Sequence, residues 1–399
     1  MMVRFIRPSL RLPLRLRVKK IIGTVIFDSS RWYFGGQLNF LQFCGFSLSM
    51  TKLRVFFLAV PVGAFQLQNG LEPIDALQRL HVLVADDMAA VNREIVARMS
   101  SEVPLIPKLA GHIVAAGGKR LRPLLTLAAS RMCGYEGRNH IELAACVEFI
   151  HTATLLHDDV VDESKMRRGG DSANALFGND ASVLVGDFLF SRSFQLMVQI
   201  GSLEVLKILS SASATIAEGE VLQLSTTNNP ATPVDEYYEV IRGKTAALFA
   251  AAARVGPVLA GRSNSDAEAF DSYGMNLGLA FQIVDDVLDY DADQKSLGKS
   301  VGDDFKEGKA TLPVLLAFAR GDEESRKFWR RTIQEEKQEP GDLDQAIAYL
   351  KASNSLEDSA KAARHFAEDA KEALSSVSGD LEFSKTLCDV ADFCVERAF

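Results

Sequence analysis

The chain has 399 residues, 47% of them hydrophobic, enough to bury a large core in one big domain or two modest ones. Its net charge of −8 is unevenly spread: residues 1–71 hold ten Lys or Arg against one acid, Asp28, a net of +9 that leaves −17 for residues 72–399. An acidic body argues against general nucleic-acid binding and suits metal cations. The five cysteines, Cys44, Cys133, Cys146, Cys388 and Cys394, are scattered without metal-ligand spacing and read as small core residues of a reducing compartment.

The first twenty residues, MMVRFIRPSLRLPLRLRVKK, are rich in Arg and free of acids, as in a mitochondrial presequence, although poor in Ser and interrupted by Pro8 and Pro13. The expected compartment is the mitochondrial matrix if this is a presequence, and the cytoplasm if the chain is bacterial. VFFLAVPVGAF, at 55–65, is shorter than the roughly 20 apolar residues that cross a bilayer, so no transmembrane helix is expected. Residues 1–71 are read as an appendage: a targeting tail, a membrane-surface anchor or an over-extended start.

From residue 72 onward, apolar residues recur at three-to-four spacing with no run of alternating β-branched residues, which predicts an all-α body, a large single-domain helical bundle. Helices are expected at 74–99, 104–116, 120–133, 138–164, 180–200, 203–225, 234–254, 265–291 and 311–320, with three or four amphipathic helices beyond. AAGGKR (115–120), RRGGDS (167–172) and TTNNPATP (226–233) break the pattern. The polar stretch at 291–309 is long for a connector in a compact domain and is a candidate lid.

Two acidic triplets carry the chemistry. HTATLLHDDVVDES (151–164) holds Asp158, Asp159 and Asp162, and FQIVDDVLDYD (281–291) repeats the D-D-x-x-D spacing with Asp285, Asp286 and Asp289. Positions one and five of such a motif stack one turn apart on a helix, so Asp158 projects with Asp162 and Asp285 with Asp289. Like charges at that spacing oppose each other by roughly 0.2–0.5 kcal/mol, so a cation is missing from the picture. Facing carboxylate walls offer the hard oxygen donors that Mg²⁺ prefers, with water and phosphate completing the octahedron. A solvated helix face is the competing reading of one triplet, but both sit inside strongly apolar helices. Two basic clusters lie around them: GGKRLRP (117–123), with Lys119, Arg120 and Arg122 at a helix start where backbone N–H groups favour phosphate, and RRGG (167–170), with Arg167 and Arg168.

In order along the chain, GGKRLRP, LLHDDVVDESKMRRG, VGDFLF, GKTA, FQIVDDVLDYDAD and GKSVGDDFKEGKATLP resemble the motifs of the trans-type isoprenyl diphosphate synthases, and among them the long-chain polyprenyl synthases of the quinone side-chain type. The similarity runs over residues 72–399. It implies the isoprenoid synthase bundle with a central cavity, and a Mg²⁺-dependent condensation of isopentenyl diphosphate onto an allylic diphosphate, farnesyl or geranylgeranyl. By the same resemblance Asp158, Asp162 and Asp285 are direct metal ligands, with Asp159, Asp286 and Asp289 direct or through water. Lys119, Arg122, His151 and Arg168 match positions that bind the diphosphate of isopentenyl diphosphate. Arg167, Lys244, Thr245, Gln282 and Lys299 match positions around the allylic diphosphate, and Lys309 one that closes the loop over it. The Lys244 charge would steady the leaving group, or the Thr245 carbonyl the cation itself. Asp187 of VGDFLF reads equally as a structural hydrogen-bond partner. Homodimers are expected, as is peripheral contact with a membrane that accepts an insoluble product.

Product length is read from the helix below the first triplet. Thr154 and Ala153 lie about one turn, roughly 5.4 Å, below Asp158. Both are small, where short-chain relatives typically have aromatic rings. Further down, Ile150, Val147 and Cys146 are not large enough to block, so a long product, octaprenyl to decaprenyl, is expected. Three rivals are weighed. An HD-type phosphohydrolase would need a further His such as His112 or His140 and leaves the second triplet unexplained. A type I terpene cyclase usually mixes Asn, Ser and Glu in its second motif. A regulatory subunit of a heteromeric synthase generally loses metal ligands, which are intact here.

Overall fold

The computed structural model describes residues 25–28, 31–34, 75–115, 118–167, 170–290 and 301–396. The chain divides into two units, Met1–Gly70 and Leu71–Phe399. In the first, β1 (Val25–Asp28) and β2 (Arg31–Phe34) form an antiparallel ribbon with Val25 opposite Phe34 and Asp28 opposite Arg31.

Among the described residues the second unit is all-α apart from one ribbon of two-residue strands. Its first helices are α1 (Ala76–Leu83), α2 (Ala85–Arg98), α3 (Leu105–Ala115), α4 (Leu121–Met132) and α5 (Asn139–Val161). After the ribbon β3–β4 (Met166–Arg167 with Gly170–Asp171) come α6 (Ala173–Phe177), α7 (Asn179–Ile200) and α8 (Leu203–Thr226). Then follow α9 (Val234–Ile241), a π-helical turn (Arg242–Ala246), α10 (Ala247–Leu259) and α11 (Asn264–Leu288). The remainder is α12 (Asp303–Lys306), α13 (Leu312–Arg320), α14 (Glu323–Trp329) with a π turn to Gln334, α15 (Asp342–Ala352), α16 (Ser355–Leu374) and α17 (Leu381–Glu396). The expected 74–99 helix is two, because Val84 leaves helical geometry at φ −115°, ψ 23°. The expected 234–254 helix is interrupted by the π turn, a feature with no period signature. Helix starts follow local chemistry: the side chains of Ser172, Ser202, Ser263 and Asp322 each accept an N–H from the first turn, worth about 1 kcal/mol apiece.

The main core is built where α11 packs on α10 and α16, and α5 on α7. Phe270, Tyr273, Leu277 and Val284 of α11 are fully buried, each contributing roughly 1.5–3 kcal/mol. The stretch LFAAAA of α10 is buried all round, so α10 is an internal helix flanked by α4, α8 and α11. A second cluster, with Tyr290, Phe305, Val314, Phe328, Trp329 and Leu350, forms beyond the end of α11. It grips Tyr290 and Phe305, one on each side of the polar segment 291–300. Among the described residues one helix, α7, is long and apolar enough to cross a bilayer, and only 39% of its apolar window is buried.

Candidate active site

A cavity of about 710 Å³ opens at the C-terminal ends of α5 and α11. Asp158 and Asp162 line it from α5 and Asp285 from α11, so helices remote in sequence present carboxylates to one space. Helix α5 ends at Val161, earlier than expected, and Asp162 is its C-cap with helical φ and ψ, which preserves the one-turn stacking on Asp158. Burial raises the Asp158 carboxyl above its ordinary range, while the Lys244 ammonium, 3.5 Å away, opposes the rise.

The other three acids are engaged by protein donors. Asp159 is buried; Arg167 donates to it from Nε at 2.9 Å and from Nη2. Asp286 is 3% exposed and sits between two donors, the Tyr237 hydroxyl at 2.6 Å and Gln282 Nε2 at 2.9 Å. Burial pushes its pKa up to about 7 against the pull of those donors. Both Asp289 oxygens accept backbone N–H groups of α12, from Asp303 and Asp304, each at 3.1 Å. Asp289 thus caps the short helix on the far side of segment 291–300. Asp158, Asp162 and Asp285 thus line the cavity, whereas Asp289, expected to project with Asp285, is turned to the backbone of α12 and is not among the lining residues.

The cations stand around the same cavity. Lys119 and Arg120 precede α4; Arg120 is left-handed at φ 50° and pairs with Glu148 of α5. Arg122 Nη1 lies 3.2 Å from His151 Nε2, and its guanidinium sits 4.3 Å from the Phe249 ring centroid, a cation–π contact that fixes its direction. Lys309 Nζ reaches Asp162 at 3.3 Å and Glu307 at 2.5 Å, and the carboxylates Asp304, Asp162 and Glu307 hold its ammonium in the charged form against burial. Lys119, Arg122, His151, Thr154, Arg167, Lys244, Thr245, Gln282 and Lys309 all line the cavity. Thr245 donates to Gln282 Oε1 at 2.8 Å, which orients the amide with its N–H toward Asp286. Arg168, Lys299 and the 291–300 part of the candidate lid lie outside the described residues. Asp187 is exposed and stands 3.5 Å from His157.

Of the residues read as a product-length pocket, Thr154 lines the cavity and Ala153, Ile150 and Val147 are buried in the core below it. Cys146 Sγ meets Ser193 O of α7, and Ala153, seven residues on, shares that face of α5. Several site residues escape sequence reading, among them Tyr237, Phe249, Glu307 and, on α8, Glu220, which lines the cavity and accepts from Lys244 Nζ at 2.8 Å. The only sequence signal of Glu220 is an acid beside a glycine within the apolar helix IAEGEVLQL.

Residues 103–350 match the polyprenyl synthetase family model. The chain belongs to the polyprenyl synthetase family. It is 47% identical to an octaprenyl diphosphate synthase of Escherichia coli over 80% of this chain and 99% of that protein. Against an all-trans-nonaprenyl-diphosphate synthase of Rhodobacter capsulatus the identity is 43%, over 81% and 99%. Among solved structures, a decaprenyl diphosphate synthase from Rhodobacter capsulatus superposes with TM-score 0.78 at 53% identity, covering 81% of this chain and 99% of that one. A polyprenyl synthase from Caulobacter crescentus, solved with calcium and isoprenyl diphosphate, gives 0.78 at 49% over 81% and 98%. This polyprenyl synthetase is therefore an enzyme of the trans-prenyltransferase class with the all-α isoprenoid synthase fold.

Proposed function

We propose that this polyprenyl synthetase condenses isopentenyl diphosphate head-to-tail onto farnesyl or geranylgeranyl diphosphate, with Mg²⁺, to give an all-trans octaprenyl to decaprenyl diphosphate for a quinone side chain. The observation that carries the reading is one cavity lined by Asp158, Asp162 and Asp285 together with Lys119, Arg122, Lys244 and Lys309. Asp158, Asp162 and Asp285 offer the hard carboxylate oxygens that Mg²⁺ takes, and because no three acids, His or Cys among the described residues are grouped closely enough to hold an ion by themselves, phosphate oxygens and water would complete the set. When bound there, the metal would draw charge onto the diphosphate as the allylic C–O bond breaks.

The protein's own groups account for the rest. Lys244 and Lys309 neutralise the leaving diphosphate from fixed positions. Arg122, aimed by Phe249 and His151, holds the second diphosphate with Lys119, which brings the terminal alkene carbon within reach of the allylic carbon. A C–C bond forms there as diphosphate leaves, and the proton lost from the new chain passes to that diphosphate. Exclusion of water from the cation falls to the 291–309 stretch, whose Asp303, Glu307 and Lys309 line the cavity.

A homodimer is part of the proposal. Leu184 and Val198 of α7 and Leu203 and Val221 of α8 are 65–83% exposed, apolar positions that a second copy would cover. Peripheral contact with a membrane would serve product release, and placement in a mitochondrial matrix or a bacterial cytoplasm follows from how the basic first residues are read.

The test is incubation with farnesyl diphosphate, labelled isopentenyl diphosphate and Mg²⁺, followed by sizing of the lipid. Label in a C40–C50 product is expected. Folded protein that incorporates none would favour a regulatory subunit.

A further inference from the structure

Helix α8 and the π turn approach each other more closely than side chains permit. A Cβ on Gly219 would stand 2.5 Å from Lys244 N, and one on Gly243 would stand 2.9 Å from Gly219 Cα. Two glycines at the crossing therefore let backbone lie on backbone. The π turn inserts an extra residue at Arg242–Ala246 and turns Lys244 toward the cavity. Glu220, next to Gly219, meets that lysine: Oε2 to Nζ is 2.8 Å, while the same Nζ is 3.5 Å from Asp158 Oδ2. One ammonium is shared by two carboxylates that also touch each other, one in the first acidic triplet and one outside both; burial and the Asp158 charge push Glu220 up to about 7, and the Lys244 ammonium opposes that rise.

We propose that Glu220 is a positioning residue for Lys244, giving the ammonium a second anion so that it can release Asp158 to a divalent cation yet stay beside the cavity. With no second anion, a cation arriving at Asp158 must displace an ammonium from its sole carboxylate in a half-buried site, where such pairing is little screened. With Glu220 present, the ammonium, already nearer Glu220 than Asp158, keeps its hydrogen bond and stays beside the cavity when Asp158 turns to the cation. The Gly219–Gly243 contact fixes the distance over which this handover works. The inference rests on the proposal that Asp158 ligates the metal.

The probe is Mn²⁺ alone, titrated into full-length protein without substrate and followed by electron paramagnetic resonance. Asp158→Asn tests the underlying reading; if it leaves Mn²⁺ binding unchanged, that reading fails whatever Glu220 does. With Asp158 established, Glu220→Gln, which keeps shape and one acceptor but loses charge, is expected to weaken Mn²⁺ binding about fivefold, a coupling near 1 kcal/mol. In a Lys244→Gln background the same change is expected to weaken it by less than about twofold, because the competing ammonium is gone. Equal weakening in both backgrounds would mean that Glu220 acts on the metal directly, and no weakening in either would mean it does nothing; both overturn the proposal. Thermal unfolding of each variant guards against a folding defect. Glu220→Asp, which keeps the charge, is the rescue: it should recover most of the lost Mn²⁺ affinity, and recovery no better than that of Glu220→Gln would also count against the proposal.

Discussion

Gly219→Ala puts two opposed effects on one atom. In an exposed helix interior, Ala is better than Gly by about 1 kcal/mol. Here the new methyl would lie 2.5 Å from Lys244 N, 2.8 Å from Gly243 C and 2.9 Å from Gly243 Cα, all backbone atoms with no rotamer to yield. Carbon contacts relax near 3.5–4.0 Å, so α8 and the π turn must part by about 1 Å. Overpacking of this kind costs about 1–3 kcal/mol, which outweighs the propensity gain and lowers the unfolding midpoint by a few degrees. The larger effect falls on turnover, because a shift of about 1 Å in a group that must meet the leaving diphosphate can cost about 10²-fold. Calorimetry and steady-state assay with saturating substrates measure the two separately. Gly111→Ala is the control, since in α3 its Cβ meets nothing within 4 Å among the described residues, and it should stabilise without touching kcat. If Gly219→Ala behaves like that control, the argument from close approach is refuted.

Asp158→Ala or Asp285→Asn is expected to lower kcat by about 10³-fold or more with folding intact, since each removes a cavity-facing oxygen donor; near-normal turnover in either would contradict the facing-wall geometry. Ala153→Phe and Thr154→Phe, one turn below Asp158 on α5, should each shorten the product toward geranylgeranyl length; an unchanged length on chromatography of the lipids, with melts showing the fold intact, would reject the product-length pocket. Tyr237→Phe removes a donor to buried Asp286, whose pKa already stands at about 7. The folded state binds more protons than the unfolded from about pH 4 up to that value, so stability is fullest at low pH and is lost as pH rises through this window. Losing a hydrogen bond to a charged group, about 1.5–3 kcal/mol, should extend the loss about 1–2 pH units higher. Melts of metal-free protein between pH 6 and 9 read this directly, and superimposable profiles would show that the hydroxyl does not tune the carboxyl.

Much of this site is local chemistry and therefore legible in the sequence. The D-D-x-x-D spacing stacks Asp158 on Asp162 by helical periodicity alone, and the glycine break before Lys119 marks where a helix begins. The roles within each triplet are not local. Asp286 is engaged by Tyr237, 49 positions away, and Lys309 reaches Asp162 across 147. The π turn at Arg242–Ala246 leaves no trace in a hydrophobic pattern, and Glu220 looks like any acid on a helix until α8 is laid against that turn. Sequence determined which residues carry charge and, through the 3.6-residue period, which stand together on one helix. Tertiary structure decided which of those charges line one cavity and which cation or donor each one meets, because those partners stand on elements far apart in the chain.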